Sequence, residues 1–492
     1  MQKIVAAASL AALPLVLPPL PALAADPEVE ELKRMLVEMK HEYESRINEL
    51  ESRIAVMERT TDTSETAPSS APPPATREEA TVAQTAQRNK PVAQPTSRKT
   101  GDSAFNPAIS LVLQGAATSY SNDPEDWFIP GFQTGGEAGL RAEGLSITES
   151  ELTASANVDH LFYGQATIGL HEETGGGTEI DLEEAFIDTL SLPAGLGLRF
   201  GRFYPEVGYL NTRHTHVWDW ADAPLPLNAF LGNQYNDDGL RLSWIAPTDH
   251  FLELGVEALR GESFPSGGDG SDFLGDARNY FARIGADIGD SQSFRLGLSH
   301  LRAQPLDRSG DHAHGDAGDE HGDESLGFSG DSNLTVLDAT WKWAPEGNFR
   351  DRNLTLRGEY FYREEDGAYT LSSDAGSALM PFDGTQEGFY LDGIYQFHPR
   401  WRAGVRYERL WTDNTLTVTS NETGEADDEL VEETGLVSDE EPDRWSAMVD
   451  WSPSEFSRLR LQYTRDNTLP ESDDQFFLQY IMSIGAHGAH AY

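Results

Sequence analysis

The chain has 492 residues, no cysteine, and 36 basic against 82 acidic side chains, a net charge of −46. That sign disfavours a nucleic-acid partner, whose phosphates repel an acidic surface. Beyond residue 25 no run approaches the ~20 apolar residues that a spanning helix needs, which excludes a helical membrane protein.

Residues 1–24 read as a secretory signal peptide. Met1-Gln2-Lys3 is a short basic start, Ile4 to Leu20 is apolar, and Ala22-Leu23-Ala24 supplies the small-residue cleavage pattern. Residues 25–60 carry a helix. Val29, Leu36, Tyr43, Leu50 and Met57 recur seven apart, and Leu32 and Met39 fill the second core position. Arg46 and Arg53 follow there, with Ile47 and Ile54 taking up the seam one residue later. This spacing predicts a short, imperfect coiled coil over 28–59; one such helix is marginal in water, so it implies a partner helix, most simply from an identical chain. A lone amphipathic helix on a surface is the alternative. Residues 61–104, rich in Thr, Ser, Pro, Ala and Gln, cannot bury a core and read as a disordered linker.

From 105 to 492 short alternating segments recur. Sixteen strands are predicted at 107–119, 143–158, 160–171, 178–190, 195–203, 237–246, 250–260, 278–288, 292–303, 331–344, 351–365, 385–397, 400–413, 441–451, 456–465 and 474–486. Leu240, Leu242 and Trp244 alternate with Arg241 and Ser243, and Leu459, Leu461 and Tyr463 with Arg458, Arg460 and Gln462. Period two with one apolar face sets a hydrophobic medium on one side and water on the other. Three features favour a transmembrane barrel over a soluble sandwich. The opposite face is charged on nearly every strand, as in a wet lumen. Aromatics stand near strand ends (Tyr163, Phe200, Phe203, Trp244, Phe251, Trp341, Trp343, Tyr360, Tyr362, Trp401, Trp411, Trp445 and Trp451), where interfacial girdles lie. Short connections alternate with mostly long ones, which puts both barrel ends in the periplasm and the long loops outside. The fold class is therefore all-β: a transmembrane antiparallel barrel of about sixteen strands, behind a periplasmic coiled-coil helix. In lipid an open edge would strand unpaired backbone groups, so the strands must close into a ring. The last strand shares Phe476, Leu478, Tyr480, Met482, Ile484 and Ala486 on one face.

By parity Arg199, Arg241, Arg283, Arg357, Arg402, Arg406, Arg458 and Arg460 point inward, with Glu151, Asp181, Glu183, Glu253 and Glu257. These line a pore of mixed charge, whose transverse field would filter solutes by charge and dipole; salt-bridging that stiffens the wall is the plainer reading. The loop 204–236 is rich in Trp, Pro and apolar residues, including Arg213-His214-Thr215-His216-Val217-Trp218-Asp219-Trp220. An outer loop in water should be more polar, so it reads as a constriction loop folded into the barrel, with Arg213, His214, His216, Trp218, Asp219 and Trp220 at the narrowing. A surface loop packed on itself is the alternative.

The loop 304–330 gathers His312, His314 and His321 with Asp311, Asp316, Asp319, Glu320 and Asp323. Imidazole nitrogen with carboxylate oxygen suits a borderline divalent cation such as zinc, and the glycines between them make binding weak and exchangeable. A solvated acidic loop with incidental histidines reads the same residues more plainly. The segment 413–441 carries eleven carboxylates and no Lys or Arg; it concentrates cations at the mouth or serves solubility. No motif requires a cofactor. The chain has no Gly-x-Ser-x-Gly elbow, no His-Glu-x-x-His helix and no phosphate-binding Gly-Lys-Ser/Thr loop, so it reads as a non-enzyme.

Ile147 to Leu152, Asn157-Val158-Asp159, Asp181 to Ile187, Leu198 to Phe203 and Asp237 to Trp244 together resemble phosphate-selective-type porins. They are still more similar to a group of proteobacterial zinc-regulated outer-membrane proteins, often labelled TonB-dependent receptors. The resemblance covers roughly 105–492 and the periplasmic coiled coil, and implies an outer-membrane channel. Residues 25–104 are too short and polar for the plug of a TonB-dependent receptor, and an Arg wall matched by carboxylates carries no phosphate ladder. The expectation is a porin-like channel set in outer-membrane lipid, trimeric through coiled coil and barrel, passing small polar solutes or ions and taking up divalent metal such as zinc. The alternatives are a cell-surface metal-binding receptor with a closed barrel and an envelope-tethering structural protein.

Overall fold

The computed structural model describes residues 107–485 except 136, 173–177, 268–273, 310–324 and 374–375. The signal-peptide, coiled-coil and linker readings, and the His-rich cluster at 311–324, lie outside the described residues.

Nineteen strands form one antiparallel sheet. They are β1 (Ala108–Ser119), β2 (Gly144–Ile147), β3 (Glu149–Asn157), β4 (Phe162–Glu172), β5 (Thr178–Thr189), β6 (Leu196–Phe203), β7 (Asp237–Ile245), β8 (Phe251–Leu259), β9 (Ala277–Ile288) and β10 (Gln292–Ala303), then β11 (Arg308–Ser309), β12 (Ser325–Trp343), β13 (Asn353–Ser373), β14 (Gly376–His398), β15 (Trp401–Leu416), β16 (Ser420–Asn421), β17 (Asp443–Ser454), β18 (Ser457–Asn467) and β19 (Asp473–Gly485). β2 and β3 are one stave broken at Thr148, and β11 and β16 are two-residue additions, which leaves sixteen staves. The ring closes where β1 pairs β19 from Ser110↔Gly485 to Ser119↔Phe476 and β3 from Ala108↔Ser155. No sheet edge is left at the seam, which is what permits strands to sit in hydrocarbon.

The period-two patterns become the two faces of this ring. Leu242, Leu298, Leu391, Val405, Leu461, Leu478 and Ile484 are exposed on the outside, while Arg241, Arg406, Arg460 and Gln479 are buried within. Aromatics band the outside. Trp401 stacks on Trp451 at 6.2 Å near the turn end, and Tyr407 packs on Trp445 at 4.3 Å farther up. Phe203 is not part of this band. It is fully buried inside, because its parity on β6 matches Arg199, and Tyr163 likewise packs inward against the core.

Three of the predicted strands run past their expected ends. β12, β13 and β14 reach 19, 21 and 23 residues, so 366–373 and 376–384, which read as loop, are paired strand instead. Phe328 of β12, Tyr369 of β13, and Met380 and Phe382 of β14 explain the extension: they form a second apolar cluster with Leu416. The acidic segment 413–441 is likewise not fully solvated. It includes the short helix α2 (Asp427–Glu433; α1 is introduced below), whose Leu430 is buried, with Leu436, in the same cluster.

Candidate functional site

The segment 204–236 does fold into the barrel, and its sequence explains why. Val207, Leu210, Trp218, Trp220 and the whole of helix α1 (Leu225–Leu231) are buried. The helix ends where Gly232 takes φ 62. Phe230 stacks on Phe361 of β13 at 5.4 Å and meets Phe132 edge-on. Exposed to water this apolar surface would cost roughly 1.5–3 kcal/mol per large side chain; inside the ring it forms the principal core.

Polar anchors set the loop's position. Its two ends are tied together, since Asn211 Nδ2 donates to the carbonyls of Pro205 and Tyr235 at 2.9 and 3.0 Å. Glu206 pairs with Arg241 at 2.9 Å and with Arg283. Burial would raise its carboxyl, but the Arg283 and Arg241 guanidinia beside it pull it down to about 2. The amides of Tyr209 and Leu210 donate to Glu359 at 2.7 and 3.0 Å. This approach requires Gly208, whose φ is +70 and whose added Cβ would meet Glu359 Oε2 at 2.1 Å. Gly208→Val is expected to weaken the loop's seating by about 1–3 kcal/mol, measured as new proteolytic cleavage within 204–236 in detergent. Resistance equal to wild type would contradict the anchoring role.

Across the lumen the loop meets the arginines of β13 to β18. Asp219 lies 2.6 Å from Arg402 and 3.3 Å from Arg357. Asp222 takes Arg406 at 2.9 Å, and Leu225 N donates to Glu408 at 2.5 Å. The Trp218 carbonyl accepts from Arg458 and Arg460, both at 3.0 Å, and Trp220 Nε1 donates to Asp392 at 3.3 Å. Burial opposes ionisation of Asp219, yet Arg402 and Arg357 hold its carboxyl far below the usual carboxylate range. Arg213 stands over the Tyr209 ring at 4.4 Å, and its carbonyl accepts from Trp218 Nε1.

The remaining inward charges also meet partners. Arg199 clamps Asp188 through two 2.8 Å bonds, and Arg241 binds Glu257 at 2.5 Å. Arg460 binds Asp450 at 2.9 Å, and Glu253 is 3.9 Å from Arg283. The wall of β13 to β18 is thus a set of matched pairs completed by the loop's two aspartates.

The wall of β3 and β5 differs. Glu149 and Glu151 on β3 face Glu183 and Glu184 on β5, all buried. Parity predicts Glu183 inward and Glu184 outward. A register shift between Thr167 and Ile168 turns both inward, and Gly169 makes the room: a Cβ there would meet Glu183 Oε1 at 2.1 Å. The bases here are histidines. His214 is 3.1 Å from Glu151, 3.1 Å from Glu183 and 3.0 Å from Glu184, and His216 is 2.6 Å from Glu151. Burial works against a charged His214, but the carboxylates around it outweigh that and raise its pKa well above the usual imidazole range. Asp181, half exposed, lies 3.4 Å from His171. β6 pairs with β5 only from Ala185↔Arg202 to Asp188↔Arg199, so the loop-end half of β5 has no β6 neighbour. A cavity of about 400 Å³ occupies that corner, lined by Glu137, Glu149, His171, Asp181, Glu183 and Tyr204 among others.

A second inner loop follows β1. Trp127, Ile129 and Phe132 are buried; Trp127 Nε1 donates to Asp466 at 3.1 Å, and Gln133 accepts from Arg308 at 2.9 Å. Sequence reasoning missed it. The signal is present in the sequence, since Trp127-Phe128-Ile129-Pro130-Gly131-Phe132 is as apolar as the segment 204–236.

A closed ring of strands with an apolar, aromatic-banded exterior and a charged interior is an outer-membrane β-barrel. No protein-family model matches the chain. A protein of Aquifex aeolicus (strain VF5), described as an uncharacterized protein, is 30% identical over 417 residues, spanning 79% of this chain and 80% of that one. The chain belongs to that protein's family. Among solved structures, the channel DcaP of Acinetobacter baumannii is 13% identical, with 77% of this chain and 97% of that one covered and a TM-score of 0.45. OprB of Pseudomonas putida is 13% identical over 77% and 94%, with a TM-score of 0.43. A loop-deletion form of OmpT, an outer-membrane protein of Vibrio cholerae, is 10% identical over 77% and 99%, with a TM-score of 0.46. No residue role or solute transfers at this level of likeness.

Proposed function

We propose that the protein is a porin-like channel of the outer membrane, passing small polar solutes or ions, with the inner loop as its constriction. The observation that carries this reading is the loop itself, which crosses the lumen from the Glu359 anchor to the Arg402–Asp219 and Arg406–Asp222 pairs while paired charges line the wall. A matched arginine wall opposite a carboxylate–histidine wall gives a transverse field across the gap, and such a field sorts solutes by charge and dipole. The resemblance to phosphate-selective-type porins and zinc-regulated outer-membrane proteins belongs to this reading, with divalent metal such as zinc among the solutes. So does trimeric assembly through barrel and coiled coil in outer-membrane lipid.

Planar-bilayer recording of the purified, heat-modifiable protein is expected to give discrete conductance steps; a folded barrel with none would remove the channel reading. Asp219→Asn with Asp222→Asn leaves Arg357, Arg402 and Arg406 short of two counter-charges. It should shift the reversal potential in a salt gradient several-fold toward anions. An unchanged reversal potential would place the ion path elsewhere.

A second reading, a surface receptor with a closed barrel, is favoured by the burial of Trp127, Phe132 and Phe230 across the loop end. The same recording separates the two, because a receptor of this kind binds solute without conducting.

A further inference from the structure

We propose that Glu151, Glu183 and His214 form a binding site for a borderline divalent cation at the foot of the acidic cavity, with Glu184 orienting the imidazole. The candidate ligand atoms of these three residues all lie within 4.8 Å of one another, and they come from β3, β5 and the inner loop. His214 Nδ1 faces both carboxylates at 3.1 Å, while Nε2 is 3.0 Å from Glu184. An Nε2–H donated to Glu184 fixes the tautomer that turns the Nδ1 lone pair toward Glu151 and Glu183. A carboxylate behind a ligating histidine is the usual support for such a ligand.

Charge points the same way. Glu149 lines the same cavity, is more than nine-tenths buried and forms no ion pair among the described residues. Two imidazoles, His214 and His216, stand among the four buried carboxylates of Glu149, Glu151, Glu183 and Glu184, and buried charge in excess of its partners is costly. A divalent ion supplies two charges and uses the nitrogen as well as the oxygens. Mixed nitrogen and oxygen donors suit zinc, cobalt or nickel better than magnesium or calcium, which take all-oxygen sets. The cavity gives the ion a route. Glu137, His171 and Asp181 form a second such group toward its loop-end side, and Asp181 stands two residues from Glu183 on β5. The site stands on its own geometry and rests on the channel reading only for where the ion goes next.

The test is calorimetric titration of the full chain in detergent with Zn²⁺, then with Co²⁺ followed by visible absorption. Both use a background in which His312, His314 and His321 are replaced by Ala, which silences the His-rich segment. That background is expected to bind one ion with a cobalt spectrum of nitrogen ligation, undisturbed by equal Mg²⁺. His214→Ala and, separately, Glu183→Gln should weaken binding at least tenfold and abolish the cobalt band. Glu183→Gln keeps side-chain size and hydrogen-bonding ability, so heat-modifiable migration of that variant separates lost ligation from lost folding. Binding that survives both substitutions, no binding in the background, or displacement by equal Mg²⁺ would overturn the site. Conductance of the same preparation is read independently: a conducting barrel without binding refutes the site alone, and a binding barrel without conductance refutes the channel alone.

Discussion

Replacing 206–234 by a linker of about four Gly and Ser residues is expected to raise single-channel conductance on the order of threefold or more. The linker suffices because Asn211 already holds the carbonyls of Pro205 and Tyr235 to one side chain. The barrel should survive the loss. Arg402, Arg406 and Arg460 keep Asp450 or Glu408 as wall partners, and water replaces Asp219, Asp222 and the Trp218 carbonyl. A core cut from a soluble protein leaves a void that collapses or stays empty; a wet lumen refills. Ten of the principal core's twenty-five described residues leave with the loop, and the fifteen left, mostly on the wall and on the inner loop after β1, include Phe361 and Leu410. A folded variant with wild-type conductance would mean that the loop does not set the narrowest point.

The second large effect concerns the outside of the ring. Leu461→Arg is expected to cost about 2–4 kcal/mol, the usual penalty for an arginine facing the middle of the bilayer. Leu461 is 60% exposed midway along β18, whereas Arg460, its neighbour, is 1% exposed and bonded to Asp450 and Gln479. One step in sequence reverses the side of the wall, so the same residue type is supported at 460 and unsupported at 461. Urea-dependent folding into lipid vesicles measures this. An unchanged midpoint would refute the assignment of Leu461 to the lipid face, and with it the parity on which the β18 wall rests.

The sequence by itself determined the staves. Strict alternation in segments such as 240–244 and 459–463 specifies which side chains face lipid and which face the lumen, because successive residues of a strand point to opposite faces. Tight connections such as that at Asp159, whose carboxylate accepts from the amides of Leu161 and Phe162, mark the short-turn end. The apolar content of 204–236 also announced a loop that cannot stay in water. Where local pattern gave out, the reading erred for identifiable reasons. The hairpin of β13 and β14 extends past its membrane-depth pattern because Tyr369 and Phe382 find Phe328 across neighbouring strands, a contact that no single strand reveals. Phe203 looks like a girdle residue until its parity is tied to that of Arg199.

Only the tertiary structure decided which charges meet. His216 and Glu151 are 65 residues apart, and Arg458 and the Trp218 carbonyl 240 apart. These pairs depend on how far the inner loop reaches across a closed ring, which alternation along a strand does not encode. The carboxylate–histidine corner depends further on a one-residue register shift between β4 and β5. That shift places Glu183 and Glu184 on the same side of the wall, against the alternation that the sequence alone prescribes, because pairing between strands rather than order along one of them sets where a bulged side chain points.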